Sequence, residues 1–170
     1  MFNEKIQTGL IKQLNRELKS SQLYLSMASW VEKKGFEGIS QFLYDHSNEE
    51  RMHMLKLIRY VNKRGGDVIL DNNISYKKII YNNISLKELF QELFEHEKEI
   101  SKKINNLVDI SLQEKDYFTY NFLQWYLEEQ VEEEALTKMI LDKIKLIGED
   151  KVGLYLFDQD IKHFQKKHNK

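Results

Sequence analysis

The chain has 170 residues, with 26 basic and 27 acidic side chains, a formal net charge of −1, and neither cysteine nor proline. That balance gives no electrostatic reason to expect nucleic acid or an anionic membrane as a partner. Missing cysteine removes disulfides, thiolate metal sites and a thiol nucleophile, and no long apolar run suggests a membrane span. The polar start, Met1 to Gly9, has no apolar signal core, so a cytoplasmic location is the expectation.

The first helix is expected over about residues 4–34. Its seam is Leu10, Leu14, Glu17, Ser21, Tyr24, Ala28 and Val31, alternating steps of four and three as bundle helices do. Gly35 stops it. A second helix, about 37–64, carries Ile39, Leu43, His46, Glu50, His53, Leu57 and Tyr60 in the same rhythm and ends at Gly65 and Gly66. From Gly65 to Ser85 no helical period is visible. A helix of about 28 residues is roughly 42 Å long, and about 20 extended residues reach up to roughly 70 Å. The stretch therefore reads as a crossover joining two parallel helices, not as a tight hairpin.

Ser85 and Glu88 make a capping-box pattern that opens a third helix, with seam Phe90, Leu93, Glu97, Ile100, Ile104 and Leu107. After a break near Lys115 and Asp116 comes a fourth, with seam Leu123, Tyr126, Gln130, Glu133, Thr137, Ile140 and Ile144. Gly148 ends it. A short fifth helix, about 149–164, presents Val152, Leu156, Phe157 and Ile161, with Leu154 and Leu156 expected at the surface and a basic, frayed tail to Lys170. The fold class is all-α: one domain over 1–170, built as a four-helix bundle (about 4–147) with one long crossover and a C-terminal fifth helix.

The seams contain residues that do not belong in an apolar core. Glu17, Glu50, His53, Glu97, Gln130 and Glu133 all occupy seam positions. Counted along the helices they lie roughly 15–25 Å above the bottom of the bundle, in one layer. A single seam glutamate usually sits at a flank and reaches water. Burying four without a cation costs several kcal/mol per ion, against a whole-domain stability of about 5–15 kcal/mol. His53 alone cannot neutralise them. Two hard or borderline divalent cations such as iron, manganese or zinc are the economical solution.

With Leu14-Asn15-Arg16-Glu17-Leu18, Glu49-Glu50-Arg51-Met52-His53-Met54, His96-Glu97 and the run from Asn121 to Glu134 in view, the chain resembles ferritins of the bacterial non-haem type over nearly its whole length. The resemblance implies a ferritin-like bundle in which Glu17, Glu50 and His53 hold the first iron of a dinuclear centre, with Glu50 bridging. It gives Glu97 the second iron, with Gln130 and Glu133 beside it. Glu49, Glu129, Glu132 and Glu133 match the acids of a third, inner iron site. Tyr24 matches the tyrosine next to the dinuclear centre; packing plus a hydrogen bond to a ligand carboxylate is an equally good account of it. The fourth helix has Gln130-x-x-Glu133 where a symmetric centre would have a second Glu-x-x-His, so the second site should be looser. Arg51 stands where a haem-binding methionine would, and no haem is expected.

The function implied is iron storage with ferroxidase activity, Fe(II) and oxygen or peroxide being substrates, in a hollow homo-oligomeric shell of about 24 subunits. Two other readings remain: a di-metal enzyme with a fixed cofactor, and a metal-free structural bundle. His46, one turn from Glu50, reads either as a support behind the metal ligands or, as the commoner case, a satisfied core histidine, and His96, His163 and His168 read as surface residues. Ser20 and Ser21 have no base beside them in sequence.

Overall fold

Asn3 starts the first helix by accepting the backbone N–H groups of Lys5 and Ile6. Five α-helices follow in the computed structural model, which describes residues 2–71 and 84–164. They are α1 (Glu4–Lys33), α2 (Glu37–Lys63), α3 (Leu86–Gln113), α4 (Tyr117–Ile147) and α5 (Lys151–Asp160), the last passing into a 3-10 turn at Ile161–His163. Residues 72–83 of the expected crossover and 165–170 of the expected tail, His168 included, lie outside the described residues. No helix of the described residues is long and apolar enough to cross a membrane.

Cross-helix contacts fix the directions. The start of α1 meets the end of α2, where the Arg64 guanidinium lies 4.7 Å from the Phe2 ring. The start of α1 also meets the end of α3, where Asn3 donates to Glu114. Both α2 and α3 therefore run antiparallel to α1 and parallel to each other. Parallel neighbours cannot be joined by a hairpin, so the α2–α3 connection is a long crossover. Tyr60 at the end of α2 bonds Thr119 at the start of α4, which makes that pair antiparallel too.

The third and fourth seams are buried throughout. On α1, Ser20 is buried and Ser21 only half-buried, and on α2 Tyr60 is half-buried while Val61 points inward. The capping box is made as the sequence predicts: Ser85 accepts Glu88 N–H and Glu88 accepts Ser85 N–H. The fifth helix is shorter than expected: Asp150 caps its start by accepting the Gly153 N–H, and beyond Asp160 the chain tightens into the 3-10 turn. Leu154 is a correction. It packs half-buried on the core beside Phe157 and Ile161, while Val152, Tyr155 and Leu156 stay exposed.

The apolar core comes in two blocks. One holds Val31, Ile39, Leu43, Phe90, Leu93, Ile140 and Phe157; the other holds Ile6, Leu10, Leu57, Ile104, Leu107 and Leu123. Between them lies the polar layer. Below the second block, Arg64 grips Asp116 through two parallel N–H···O bonds of 3.0 and 2.9 Å, and Asp116 also caps α4 by accepting the Thr119 N–H. At the other end α5 closes the bundle. Its buried Asp158 accepts the Ile39 N–H at 2.9 Å, supplying the cap that Phe36 cannot give to α2. This approach demands glycine at 38: a Cβ there would lie 1.7 Å from the Asp158 carbonyl oxygen.

Asp158→Ala should lower stability by about 1 kcal/mol, the usual value of a cap. Gly38→Ala should cost more, because a backbone carbonyl cannot swing aside and α5 must detach. Guanidinium unfolding of the two variants checks the order; equal effects would show that the close approach is not needed.

Candidate metal centre

Each helix of the bundle contributes to the layer. Glu17 and Tyr24 come from α1, His46, Glu49, Glu50 and His53 from α2, Glu97 from α3, and Glu129, Gln130 and Glu133 from α4. Glu50 and His53 share a face of α2 because they are three residues apart. A reciprocal pair of serine bonds holds α1 against α2 at this height: Ser21 Oγ donates to the Ser47 carbonyl and Ser47 Oγ to the Ser21 carbonyl, both at 2.7 Å.

Glu17, Glu50, Glu97 and Glu133 are between 0 and 4% exposed. On one side, Glu17, Glu50 and His53 each bring a ligand atom to within 4.8 Å of the others. His53 Nδ1 faces Glu17 Oε2 at 3.7 Å and Glu50 Oε2 at 3.8 Å, and makes no hydrogen bond. Its other nitrogen lies 3.7 Å from Glu129 Oε2. Gln13, one turn before Glu17, steadies the second Glu17 oxygen by donating at 2.6 Å. The Tyr126 hydroxyl is buried near Glu17 without a hydrogen bond, and its ring stacks on Trp125. Lys56 holds its ammonium 3.5 Å over the Trp125 ring.

The other side is arranged differently. Tyr24 donates to Glu97 Oε1 at 2.8 Å, and the Gln130 amide donates to Glu97 Oε2 at 3.4 Å, to its backbone carbonyl and to Ser101. Tyr24 is thus placed as the hydrogen-bond partner of a layer carboxylate. Glu133 lies with His46 and Glu49 in a second group, again with ligand atoms within 4.8 Å. Glu132 is exposed on α4.

Two histidine readings need correcting. His46 is buried but its Nε2 makes no hydrogen bond, and the ring points at the second group. His96 is half-buried, not a surface residue, with Nε2 2.8 Å from Ser20 Oγ. Ser20 therefore does have a base beside it, brought across from α3. Gln13 and Tyr126 were given no role at the layer in the sequence. Gln13 alone left a signal, four residues from Glu17.

The electrostatics follow from packing acids together. Burial pushes the Glu17 carboxyl up, but His53 and Glu50 beside it more than offset that and hold it below the ordinary range. Glu50 goes the other way, pushed well above that range by burial and then by the charges of Glu17 and Glu97. Glu97 is raised to about 8 by burial and the Glu133 charge, partly relieved by its bonds from Tyr24 and Gln130. Without cations the layer keeps its repulsion down by retaining protons. Imidazole and carboxylate oxygens are a donor set that borderline and hard divalent ions accept.

The chain matches the ferritin-like domain family over residues 7–147. It belongs to the ferritin family. A bacterial non-heme ferritin from Campylobacter jejuni is 46% identical over 163 residues, covering 96% of both chains. A probable bacterial non-heme ferritin-like protein from Haemophilus influenzae is 44% identical over 98% of this chain and 99% of its own. Among solved structures, the open pore ferritin of the archaeon Archaeoglobus fulgidus superposes with a TM-score of 0.87 at 40% identity, covering 95% of this chain and 98% of that one. The two His/Glu groups lie inside the bundle and are consistent with a ferroxidase-type di-iron centre. With this fold and these clusters, the chain is a ferroxidase-type iron-storage protein.

Metal ligation requires ionised carboxylates, so Glu97 and Glu50 must give up protons on loading. Glu97, near 4.5 when unperturbed and about 8 when folded, favours the fold in its protonated form. The metal-free ferritin should therefore lose stability as pH rises through that window. Zinc binding should release protons at about pH 7, and fewer at about pH 9. Calorimetry in two buffers of different ionisation enthalpy measures the count; equal release at both pH values would contradict the shift.

Proposed function

We propose that this ferritin takes up Fe(II) as its substrate, oxidises it in the mid-bundle layer and stores the ferric product as a hydrated oxide mineral inside a hollow shell. The observation that carries the reading is the group Glu17, Glu50 and His53. Two acids and an imidazole nitrogen without a hydrogen bond converge there in a buried layer. In this reading Glu17, Glu50 and His53 hold the first iron and Glu50 bridges to the second, which takes Glu97, Gln130 and Glu133. Oxygen or peroxide accepts the electrons. Glu49, Glu129, Glu132 and Glu133 are the candidates for a third iron, and Tyr24 orients Glu97 next to the pair.

The protein's part is placement. Gln13 fixes one oxygen of Glu17 and leaves Oε2 to offer the layer, while Tyr24 and Gln130 hold the two oxygens of Glu97 in place. Gln130 is a neutral donor and binds iron weakly, which suits a site that passes its ion onward. The whole chain, 1–170, acts as one ferritin-like domain with the fifth helix at the bundle end. We further propose a homo-oligomer of about 24 subunits working in the cytoplasm, without nucleic acid, membrane or haem.

Fe(II) added to the apoprotein in air tests this, followed by size exclusion with iron analysis. Fast oxidation, with iron co-eluting far beyond two per subunit in a very large particle, is the expected result. Uptake that saturates at about two irons per subunit in a small oligomer would mean a fixed di-metal enzyme instead. Glu50→Ala or His53→Ala should slow oxidation by about tenfold or more. Oxidation at the buffer rate in the wild-type protein would overturn the proposal.

A further inference from the structure

Lys5, Thr8, Lys12 and Arg16 follow one another at steps of three and four, so they share one face of α1. Lys103 and Asn106 meet them from α3 across a cleft of about 250 Å³. Gly9 lets the two helices close up here: a Cβ on it would lie 2.6 Å from Leu107 Cδ1. Among the described residues no carboxylate lines the cleft. In a chain whose charges nearly cancel, four cations gathered around one hollow are a local excess.

Two acids stand at the ends of the cleft. Glu114 pairs with Lys5 at 2.6 Å and Glu99 with Lys103 at 2.7 Å, so four cations against two acids leave two positive charges. Both pairs are exposed and weakly held. Glu114 also accepts from Asn3 at 2.8 Å, and Glu99 has a second lysine, Lys102, at 3.8 Å. Lys5 and Lys103 can therefore turn to an anion without stranding either acid. Lys12 and Arg16 form no ion pair among the described residues, although the Arg16 charge is felt by Glu99. Arg16 is more than a solvated surface charge. It is half-buried, and its Nη1 donates to Gln13 Oε1 at 3.0 Å. Gln13 is fully buried and is itself anchored on Glu17. One guanidinium N–H is thus spent on holding the fork in place, and the others remain to bind.

We propose that the cleft between α1 and α3 binds a phosphate group, with Arg16 as its fixed anchor and Lys12, Lys103 and Lys5 closing around it. A phosphate dianion matches the two uncompensated charges. Its tetrahedrally arranged oxygens can take the guanidinium fork on one side and ammonium groups from both helices on the others. The Thr8 hydroxyl and the Asn106 amide add neutral donors at the same face. The hollow admits inorganic phosphate with its water or the phosphate end of a small organic ester. This site lies outside the metal layer and stands independently of the iron reading.

The assembled, metal-free wild-type protein is titrated calorimetrically at low salt and about pH 8, where a phosphate monoester is fully ionised. Inorganic phosphate and glycerol phosphate are the two probes. The expected result is one anion bound per subunit. Lys12→Gln combined with Lys103→Gln, both at solvent-facing ends of the cleft, should weaken binding by about tenfold or more. Arg16→Lys keeps the charge but loses the fork, and should weaken it too. Lys143→Gln, at the far end of the bundle, should bind as the wild type does. Binding of both probes, or of inorganic phosphate alone, supports a site for the free anion; binding of glycerol phosphate alone supports a site for a phosphorylated small molecule. Binding of neither overturns the inference. So does binding unchanged in both cleft variants, or weakened equally by Lys143→Gln, which would reveal only a general ionic attraction.

Discussion

Everything in this bundle answers to the cost of putting four carboxylates into one buried layer. Glu17, Glu50, Glu97 and Glu133 displace the apolar side chains that would otherwise occupy their seam positions, and the core is consequently split into two blocks. Each block must hold its half of the bundle without help from the middle. The fully buried leucines and isoleucines of both blocks do this, and the Arg64–Asp116 clamp and the α5 cap secure the two ends. The serine pair between α1 and α2 then sets the spacing at the layer itself. A bundle optimised only for stability would fill the layer with leucine. Its retention is what the function costs the fold.

The two sides of the layer solve the same electrostatic problem in different ways. Around Glu17 the solution is neighbours: His53, Glu50 and Gln13 keep a charged carboxylate tolerable. Around Glu97 it is a retained proton, helped by the hydrogen bonds its oxygens accept from Tyr24 and Gln130. On both sides a proton must leave when a cation arrives, that of Glu50 on the first and that of Glu97 on the second. Gln130, standing where a symmetric centre would carry a histidine, makes the two sides unlike. In the reading proposed above, two sides so unlike would hold their ions unequally, which suits iron in transit better than a permanent cofactor.

What the sequence revealed and what it hid divide along one physical line. Contacts within a helix were readable. The alternating seams located four long helices, Glu50-x-x-His53 announced a shared face, and Ser85 with Glu88 announced a capping box. Contacts between helices were not. His46 looked like a packed core residue because its carboxylate neighbour Glu133 arrives from α4. His96 looked exposed because Ser20, its partner, lies 76 residues away on α1. Leu154 looked exposed because the surface it rests on is assembled from the ends of other helices. The height argument for the carboxylates worked because rise per residue is nearly constant, whereas which oxygen faces which ion depends on rotamers that no periodicity records.

The cap on α2 has a consequence for how the chain comes into being. The Asp158 carboxylate that satisfies the Ile39 N–H lies 119 residues downstream. A chain emerging from the ribosome makes α2 long before that acceptor exists, so the first turn of α2 must rely on water until synthesis is almost complete. The exposed apolar residues of α5, Val152, Tyr155 and Leu156, are brought into position by the same docking event. Docking of α5 is therefore the step that completes α2, and it waits until the chain has been made through residue 158.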